Sequence, residues 1–214
     1  MKSCRPVDVK IGVLALQGNV SEHIDAFRLA IERVKKRGTS EVSEVRCPAD
    51  LAGCNALAIP GGESTTISRL IEKNHLYEPL CNFTGGIFAT CAGMVLMATE
   101  VADPRIHTLG LIDMAVDRNA FGRQRESFEM DLPVGGVEGG PFHAVFIRAP
   151  VATYAGFGVK VLARIDQGIV AVEKGKHMAF SFHPELGGDT RLHERFLQLQ
   201  GDMNGLKLQC KNLV

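Results

Sequence analysis

The run VKIGVLAL, Val9 to Leu16, is the stretch that most restricts the fold. A strand with one face in water alternates polar and apolar positions, whereas a near-continuous β-rich apolar run suits a strand buried on both faces. Such strands belong to parallel sheets with helices packed above and below. The residues that follow agree. QGN reads as a turn, and Ser21 can cap a helix running to about Lys36 with Ile24, Phe27, Ile31 and Val34 along one face. RGTSE breaks that helix, and EVSEVR reads as a second, more exposed strand. ALAIP is a third, buried strand ended by PGGES, after which TTISRLIEK forms a short helix. GIFAT, Gly86 to Thr90, is a fourth strand, and AGMVLMATE begins a helix directly after Cys91. The alternation predicts an α/β fold, a doubly wound and mostly parallel sheet flanked by helices.

From Leu109 onward the pattern changes. AVFIRAP, VKVLARI, GIVAVEK and HMAFSF are short β-rich segments separated by turn residues, expected to be added antiparallel strands or sheet extensions. A final helix is expected near Asp189, with Leu192, Phe196, Leu199 and Met203 on one face. No repeat, low-complexity tract or linker interrupts the 214 residues, and PVGGVEGGPF reads as a glycine-rich loop, so residues 1–214 are expected to form a single domain.

Charge removes several function classes. Lys+Arg and Asp+Glu balance at 24 each, so no net field draws the chain to nucleic acid or an anionic membrane. Trp is absent and Tyr scarce, which leaves no base-stacking platform. MKSCRPVDVK has no long apolar run after its charges, so no signal peptide is expected, and no stretch approaches the roughly 18 apolar residues of a membrane span. Cys4, Cys47, Cys54, Cys81, Cys91 and Cys210 are scattered, without CxxC pairs or histidines at metal-ligand spacing. A disulfide framework, a metal and a cofactor are therefore not expected, and a reducing, cytoplasmic setting would leave a free thiol reactive.

Three segments fall where an open α/β sheet gathers its chemistry, at the carboxyl ends of strands. In PGGES the glycines Gly61 and Gly62 let backbone amides approach a ligand, and a helix starts just beyond. In FATCAG a cysteine sits at a strand-to-helix turn among small residues, the layout of a nucleophile elbow. There the amino end of the following helix favours a thiolate, and the Ala92 amide would face a developing oxyanion. In SFHPE, His183 and Glu185 are two apart, so extended backbone points both to one side, with Pro184 blocking a helix. Taken singly, these segments read as an ordinary capped turn, a packing cysteine and a surface turn. Together they supply the nucleophile, base, orienting carboxylate and oxyanion donors of covalent acyl transfer. His23, His75 and His193 fall on helices amid charges and are expected on solvated faces. His107, His143 and His177 are loop or strand-start residues with no assigned partner.

PGGES, TCAG and SFHPE together resemble the triad-type (class I) glutamine amidotransferases. The finer similarity is to the glutaminase subunits of pyridoxal 5′-phosphate synthases. It is carried by IGVLALQGNVSEH, IPGGESTTISRLI, FATCAGMVLMA, DRNAFGRQRESFE, PFHAVFIRAP and FSFHPEL, which span residues 11 to about 187. The resemblance implies a flavodoxin-like α/β fold and hydrolysis of L-glutamine to glutamate and ammonia by Cys91, His183 and Glu185. It implies an oxyanion site at the amides of Gly62 and Ala92, and a glutamine site at Gly61, Gly62, Glu63, Arg118, Ile147 and Arg148. A guanidinium fork suits an α-carboxylate, and a strand-end carbonyl suits an α-ammonium. It further implies a (β/α)₈-barrel synthase subunit as partner in a large hetero-oligomer, with Gln17 and Gly18 sensing docking. The glutaminase of another ammonia-using synthase, such as that for imidazole glycerol phosphate, and a non-catalytic docking subunit are the competing readings. LALQG and RNAFGRQ speak against the first, and the intact triad against the second.

Three departures from the family pattern stand out. Ala89 occupies a usual glycine position, harmless unless its φ is positive. KKRGTSEVSEV and PVGGVEGGP are a few residues long, both expected in surface loops.

Overall fold

The computed structural model describes residues 9–34, 40–121 and 127–210, with side chains described as far as Gly201. In chain order the elements are β1 (Lys10–Leu14), α1 (Val20–Val34), β2 (Glu41–Val45), α2 (Pro48–Leu51), β3 (Ala56–Ile59), α3 (Ser64–Lys73), α4 (Tyr77–Cys81), β4 (Gly86–Thr90), α5 (Ala92–Met97) and β5 (Ala98–Val101). There follow β6 (Ile112–Asp117), β7 (Ser127–Leu132), β8 (Phe142–Ile147), β9 (Val151–Ala155), β10 (Lys160–Ile165), β11 (Gly168–Lys174), β12 (His177–Phe180) and α6 (Arg191–Cys210).

The strand order is β2-β1-β3-β4-β12-β11-β9-β6-β5, with β10 added beside β11 and β7–β8 forming a separate antiparallel hairpin. The first five strands are all parallel to one another. They reproduce the 2-1-3-4-5 order of flavodoxin-like sheets, β12 taking the fifth place. Beyond β12 the sheet continues through antiparallel pairings to β11, β9 and β6, and ends on a parallel β5–β6 pair.

The apolar runs alternate by face. Ile11 and Val13 of β1, Ala58 of β3, Phe88 of β4 and Phe180 of β12 pack in one core with Phe27 of α1 and Leu192 and Phe196 of α6. Leu14, Leu57, Ile59, Ile87, Ala89 and Ala179 point the other way, against Ile67 and Ile71 of α3, Leu80 of α4 and Met94 and Val95 of α5. Two separate cores, one on each face of the sheet, explain why these strands carry no polar alternation.

Several expectations shift. The first helix begins at Val20, so Ser21 lies inside it, where its hydroxyl donates to Glu22. Its core stripe is His23, Phe27 and Ala30, with Ile24, Ile31 and Val34 only half-buried at the margin. AGMVLMATE divides into a six-residue helix and a strand, because Ala98, Glu100 and Val101 pair with β6. HMAFSF pairs antiparallel with β11 yet parallel with β4, and so completes the parallel core. Strands β6, β7 and β9 add to the four anticipated in the second half. His23 and His193 are fully buried, contrary to their expected solvation, and His75 lies exposed in the turn after α3.

Ala89 keeps ordinary strand geometry, with no positive φ. Residues 35–39 and 122–126, which hold much of KKRGTSEVSEV and the end of RNAFGRQ, lie outside the described residues, as do Cys4 and the side chains of Met203 and Cys210. Cys47, Cys54, Cys81 and Cys91 are free thiols, and burial raises the pKa of Cys54 and Cys81. Among the described residues no helix is long and apolar enough to cross a membrane.

Candidate active site

Cys91 sits between β4 and α5 with φ 48° and ψ −106°, the left-handed side that side chains avoid, at some cost in strain. Two anchors hold it there. Its N–H donates to the Phe180 carbonyl of β12 at 2.8 Å, and its own carbonyl accepts from Met94 N at 3.0 Å. The small neighbours follow from packing, since a Cβ on Gly93 would stand 2.4 Å from the Ile59 carbonyl oxygen. The thiol is nearly buried and its Sγ lies 3.7 Å from the Ile147 carbonyl oxygen.

His183 follows β12 and is fixed by its N–H to the Val145 carbonyl at 2.8 Å. Its Nδ1 meets Glu185 Oε1 at 2.7 Å, both side chains buried. Burial opposes charge on His183, but hydrogen bonding to Cys91 and Glu185, with the charges of those two groups, outweighs it and pushes the imidazole up to about 10. Burial likewise opposes charge on Glu185, yet His23 and the contact with His183 hold it down at about 2. A charged pair is thus favoured inside the protein. The Gly61 backbone is wedged between the two functional side chains, for a Cβ there would lie 2.4 Å from His183 Cε1 and 3.1 Å from Cys91 Cβ.

One cavity of about 400 Å³ unites these groups. Cys91, Ala92, His183, Gly61, Gly62, Glu63, Arg118, Ile147, Arg148 and Gln17 all line it. Gly18 does not, but its backbone (φ 105°) passes so close to the Gly61 carbonyl that no side chain would fit. Gln17 Oε1 accepts from Glu63 N at 2.9 Å, tying the first loop to PGGES.

Glu63 caps α3, accepting from the amides of Thr65 and Thr66. Partial burial works against its charge, but the amides and hydroxyls of Thr65 and Thr66 prevail and keep it at about 2. Arg118 reaches Glu63 Oε1 at 3.1 Å and pairs with Asp103, which also pairs with Arg105. Hydrogen bonds from Arg105 hold Asp103 well below the usual carboxylate range. Both terminal nitrogens of Arg118 are thus held by carboxylates, which fixes its guanidinium where it lines the cavity.

Sequence reasoning missed Asn19, Asp103, Thr90 and His23. Asn19 lines the cavity and donates to Glu185 at 3.4 Å. Thr90 Oγ1 accepts from Gly61 N at 3.0 Å and lies 3.0 Å from His23 Nε2. The unassigned histidines also find partners: His107 with Glu72, His143 with Glu129 and Asp131, and His177 with the Ile87 amide. Among the described residues no group of three or more His, Cys, Asp or Glu side chains could hold a metal ion. The arrangement suits attack by sulfur on a carbonyl whose oxygen turns toward backbone amides.

Comparison with known proteins bears on the family and the fold. The model of the SNO glutamine amidotransferase family matches residues 13–200. A protein of Methanoregula boonei named pyridoxal 5′-phosphate synthase subunit PdxT is 71% identical over 196 residues, covering 90% of this chain and all of that one. Its namesake in Methanosphaerula palustris is 66% identical, covering 89% of this chain and 97% of that one. A crystal structure described as a glutamine amidotransferase superposes with a TM-score of 0.78 at 46% identity, covering 89% of this chain and 98% of the other. The chain belongs to the SNO glutamine amidotransferase family.

Proposed function

We propose that this chain, as one domain over residues 1–214, is the cytoplasmic glutaminase subunit of a pyridoxal 5′-phosphate synthase. It hydrolyses L-glutamine to L-glutamate and ammonia and passes the ammonia to a (β/α)₈-barrel synthase subunit. The observation that supports this most is a thiol at a strained strand-to-helix apex, sharing a cavity of about 400 Å³ with an imidazole that a carboxylate holds at 2.7 Å.

Glutamine would lie with its α-carboxylate at the Arg118 guanidinium and its α-ammonium toward the carbonyl edge at Ile147 and Arg148. Sulfur of Cys91, its proton held by His183, adds to the side-chain carboxamide carbon. The carbonyl π pair moves to oxygen, where the amides of Gly62 and Ala92 receive it. Collapse breaks the C–N bond, and His183 gives its proton to the departing nitrogen, releasing ammonia. A water then loses a proton to His183 and attacks the thioester. The C–S bond breaks, glutamate leaves and the thiolate returns. Glu185 holds the imidazole throughout. Free ammonia at neutral pH is mostly protonated and poorly nucleophilic, so docking onto an acceptor enzyme would preserve the product, with Gln17 and Gly18 placed to sense it.

The test mixes the chain with a pyridoxal 5′-phosphate synthase barrel subunit and follows glutamate and ammonia. Glutamine-dependent coenzyme formation is expected, abolished in Cys91→Ala and reduced to a trace in Cys91→Ser. Hydrolysis that survives Cys91→Ala, or stimulation only by a different synthase, would overturn the reading.

A further inference from the structure

Behind the triad lies a polar seam that the reaction above does not use. His23 projects from α1 and is fully buried, and so is His193 from α6. The ring of His193 stacks on Phe88 with centroids 4.7 Å apart, and the His23 ring lies 6.4 Å from it. Among the described residues, four buried side-chain atoms lack a hydrogen-bond partner: His23 Nδ1, Glu185 Oε2, and both ring nitrogens of His193. All four belong to three residues of this seam. Buried polar groups weaken a core unless they bond, so their gathering behind one carboxylate calls for a reason.

His23 Nε2 faces two oxygens, Thr90 Oγ1 at 3.0 Å and Glu185 Oε1 at 3.5 Å. Burial lowers the pKa of His23; Glu185 and Glu22 oppose that, while His183 adds to it, leaving a neutral ring with one hydrogen. A lone pair on Nε2 would face a carboxylate oxygen 3.5 Å away, whereas a hydrogen there bonds Thr90 Oγ1 at 3.0 Å and puts its positive end beside that carboxylate, so the geometry selects the Nε2–H tautomer. Thr90 Oγ1 then accepts from His23 and from the Gly61 amide. One imidazole touches the carboxylate that orients His183, and also the residue that precedes Cys91. Through Thr90 it bears on Gly61, which packs against His183.

We propose that His23 is a positioning residue of the site: its Nε2–H holds Glu185, and through Thr90 the Cys91 elbow, in the arrangement that aims His183 at the sulfur. The inference rests on the glutaminase reading for its kinetic arm alone. A histidine retained only for packing could give way to another ring, since His23 already sits edge-on to Phe88 at 6.2 Å.

The experiment compares His23→Phe, His23→Gln and Thr90→Val with the parent chain, synthase subunit present. It reads kcat and KM for glutamine and, independently, alkylation of Cys91 by iodoacetamide, followed by mass spectrometry of the Cys91 peptide. His23→Phe is expected to lower kcat and the alkylation rate by about 10- to 100-fold with KM within about twofold, because a misplaced orienting group costs turnover rather than binding. His23→Gln, whose Nε2 can occupy the same place, is expected to recover most of the loss. Parent-like kcat and alkylation in His23→Phe would overturn the proposal. So would equal losses in the Phe and Gln variants that merely track the folded fraction by circular dichroism. Where His23→Phe does not fold, Thr90→Val decides: a fall in kcat and alkylation at steady KM supports the proposal, and parent values overturn it. Were the parent itself to hydrolyse no glutamine, the glutaminase reading would fail, while the alkylation series would still decide the role of His23.

Discussion

Glu185 carries a charge where a solitary carboxylate would take up a proton, and the imidazoles beside it are the reason. The sign of the resulting pH dependence follows from the two partners. His183 is raised from its ordinary 6.5 to about 10, so its share of the stability is complete below about 6.5 and lost as pH climbs through 10. Glu185 is depressed from 4.5 to about 2, so its share is complete above about 4.5 and lost as pH falls through 2. Glu185→Gln removes the charge while burial of the imidazole persists. Urea unfolding of parent and variant is therefore expected to differ by about 1–3 kcal/mol, the gap widest between about pH 4.5 and 6.5 and shrinking on both sides. A gap independent of pH would contradict the charged pair. At this scale Cys91, His183 and Glu185 were legible because Cys91 lies among the small residues of a tight turn and Pro184, which fixes φ, stands between His183 and Glu185. His23 was not, since Glu22 and Asp25 surround it in the chain. On a helix, however, those neighbours point elsewhere, and the spacing 23, 27, 30 marked the stripe that is actually buried.

The elbow is an element whose sequence is dictated by close approach. Gly93 of α5 lies under the β3 carbonyls, and Ala89 lies directly beneath it, 3.2 Å from where a Gly93 Cβ would stand. Gly93→Ala cannot be accommodated by rotating a side chain, because the obstacle is the Ile59 backbone. It is expected to cost about 1–3 kcal/mol by thermal denaturation and to lower glutamine turnover with it. Ala89→Gly is also expected to cost stability, but without the fall in turnover. Ala89 has ordinary strand dihedrals, so the family's usual glycine is not needed for φ. Its restoration is expected to cost roughly 0.5–1 kcal/mol of strand stability and leave kcat unchanged. A gain in stability would show the methyl group to be strained. The boundaries of β4 were readable to the residue because a fully apolar run ends where the chain must turn. The division of AGMVLMATE was hidden, since a short apolar run fits a buried helix or a buried strand equally. In β6 and β7 the period-two alternation of IDMAVD and SFEMDL was the available signal, weakened because charged residues occupy the solvent side.

Across the whole molecule, the cavity draws on residues from 17 to 183, brought together at the carboxyl edge of the parallel strands, and nothing local in the chain announces that convergence. The glycine-rich loop of residues 133–141 lies apart from it, and none of its residues lines the cavity. It is held instead by two arginines on the first turns of α6. Arg191, itself paired with Asp189, donates to the carbonyls of Glu138, Gly140 and Pro141 at 2.7, 3.0 and 2.9 Å. Its guanidinium also lies 5.7 Å from the centroid of the Phe142 ring. Arg195, paired with Glu173, donates to the Gly136 carbonyl at 2.9 Å. Positive φ at Gly136, Gly139 and Gly140 turns these carbonyls toward the helix. Arg191→Met removes the donors and the guanidinium that lies over Phe142, while solvent screens part of the pairing with Asp189. The expected result is a loss of about 1–2 kcal/mol, read as a fall in Tm of roughly 2–8 °C, with faster amide hydrogen exchange confined to residues 134–141. Glutamine hydrolysis per folded molecule should stay at the parent value, since the cavity and the β12–β4 pairing that sets Cys91 beside His183 are untouched. A matching drop in turnover would mean that the loop communicates with the site, and that the two cores on either side of the sheet do not respond independently.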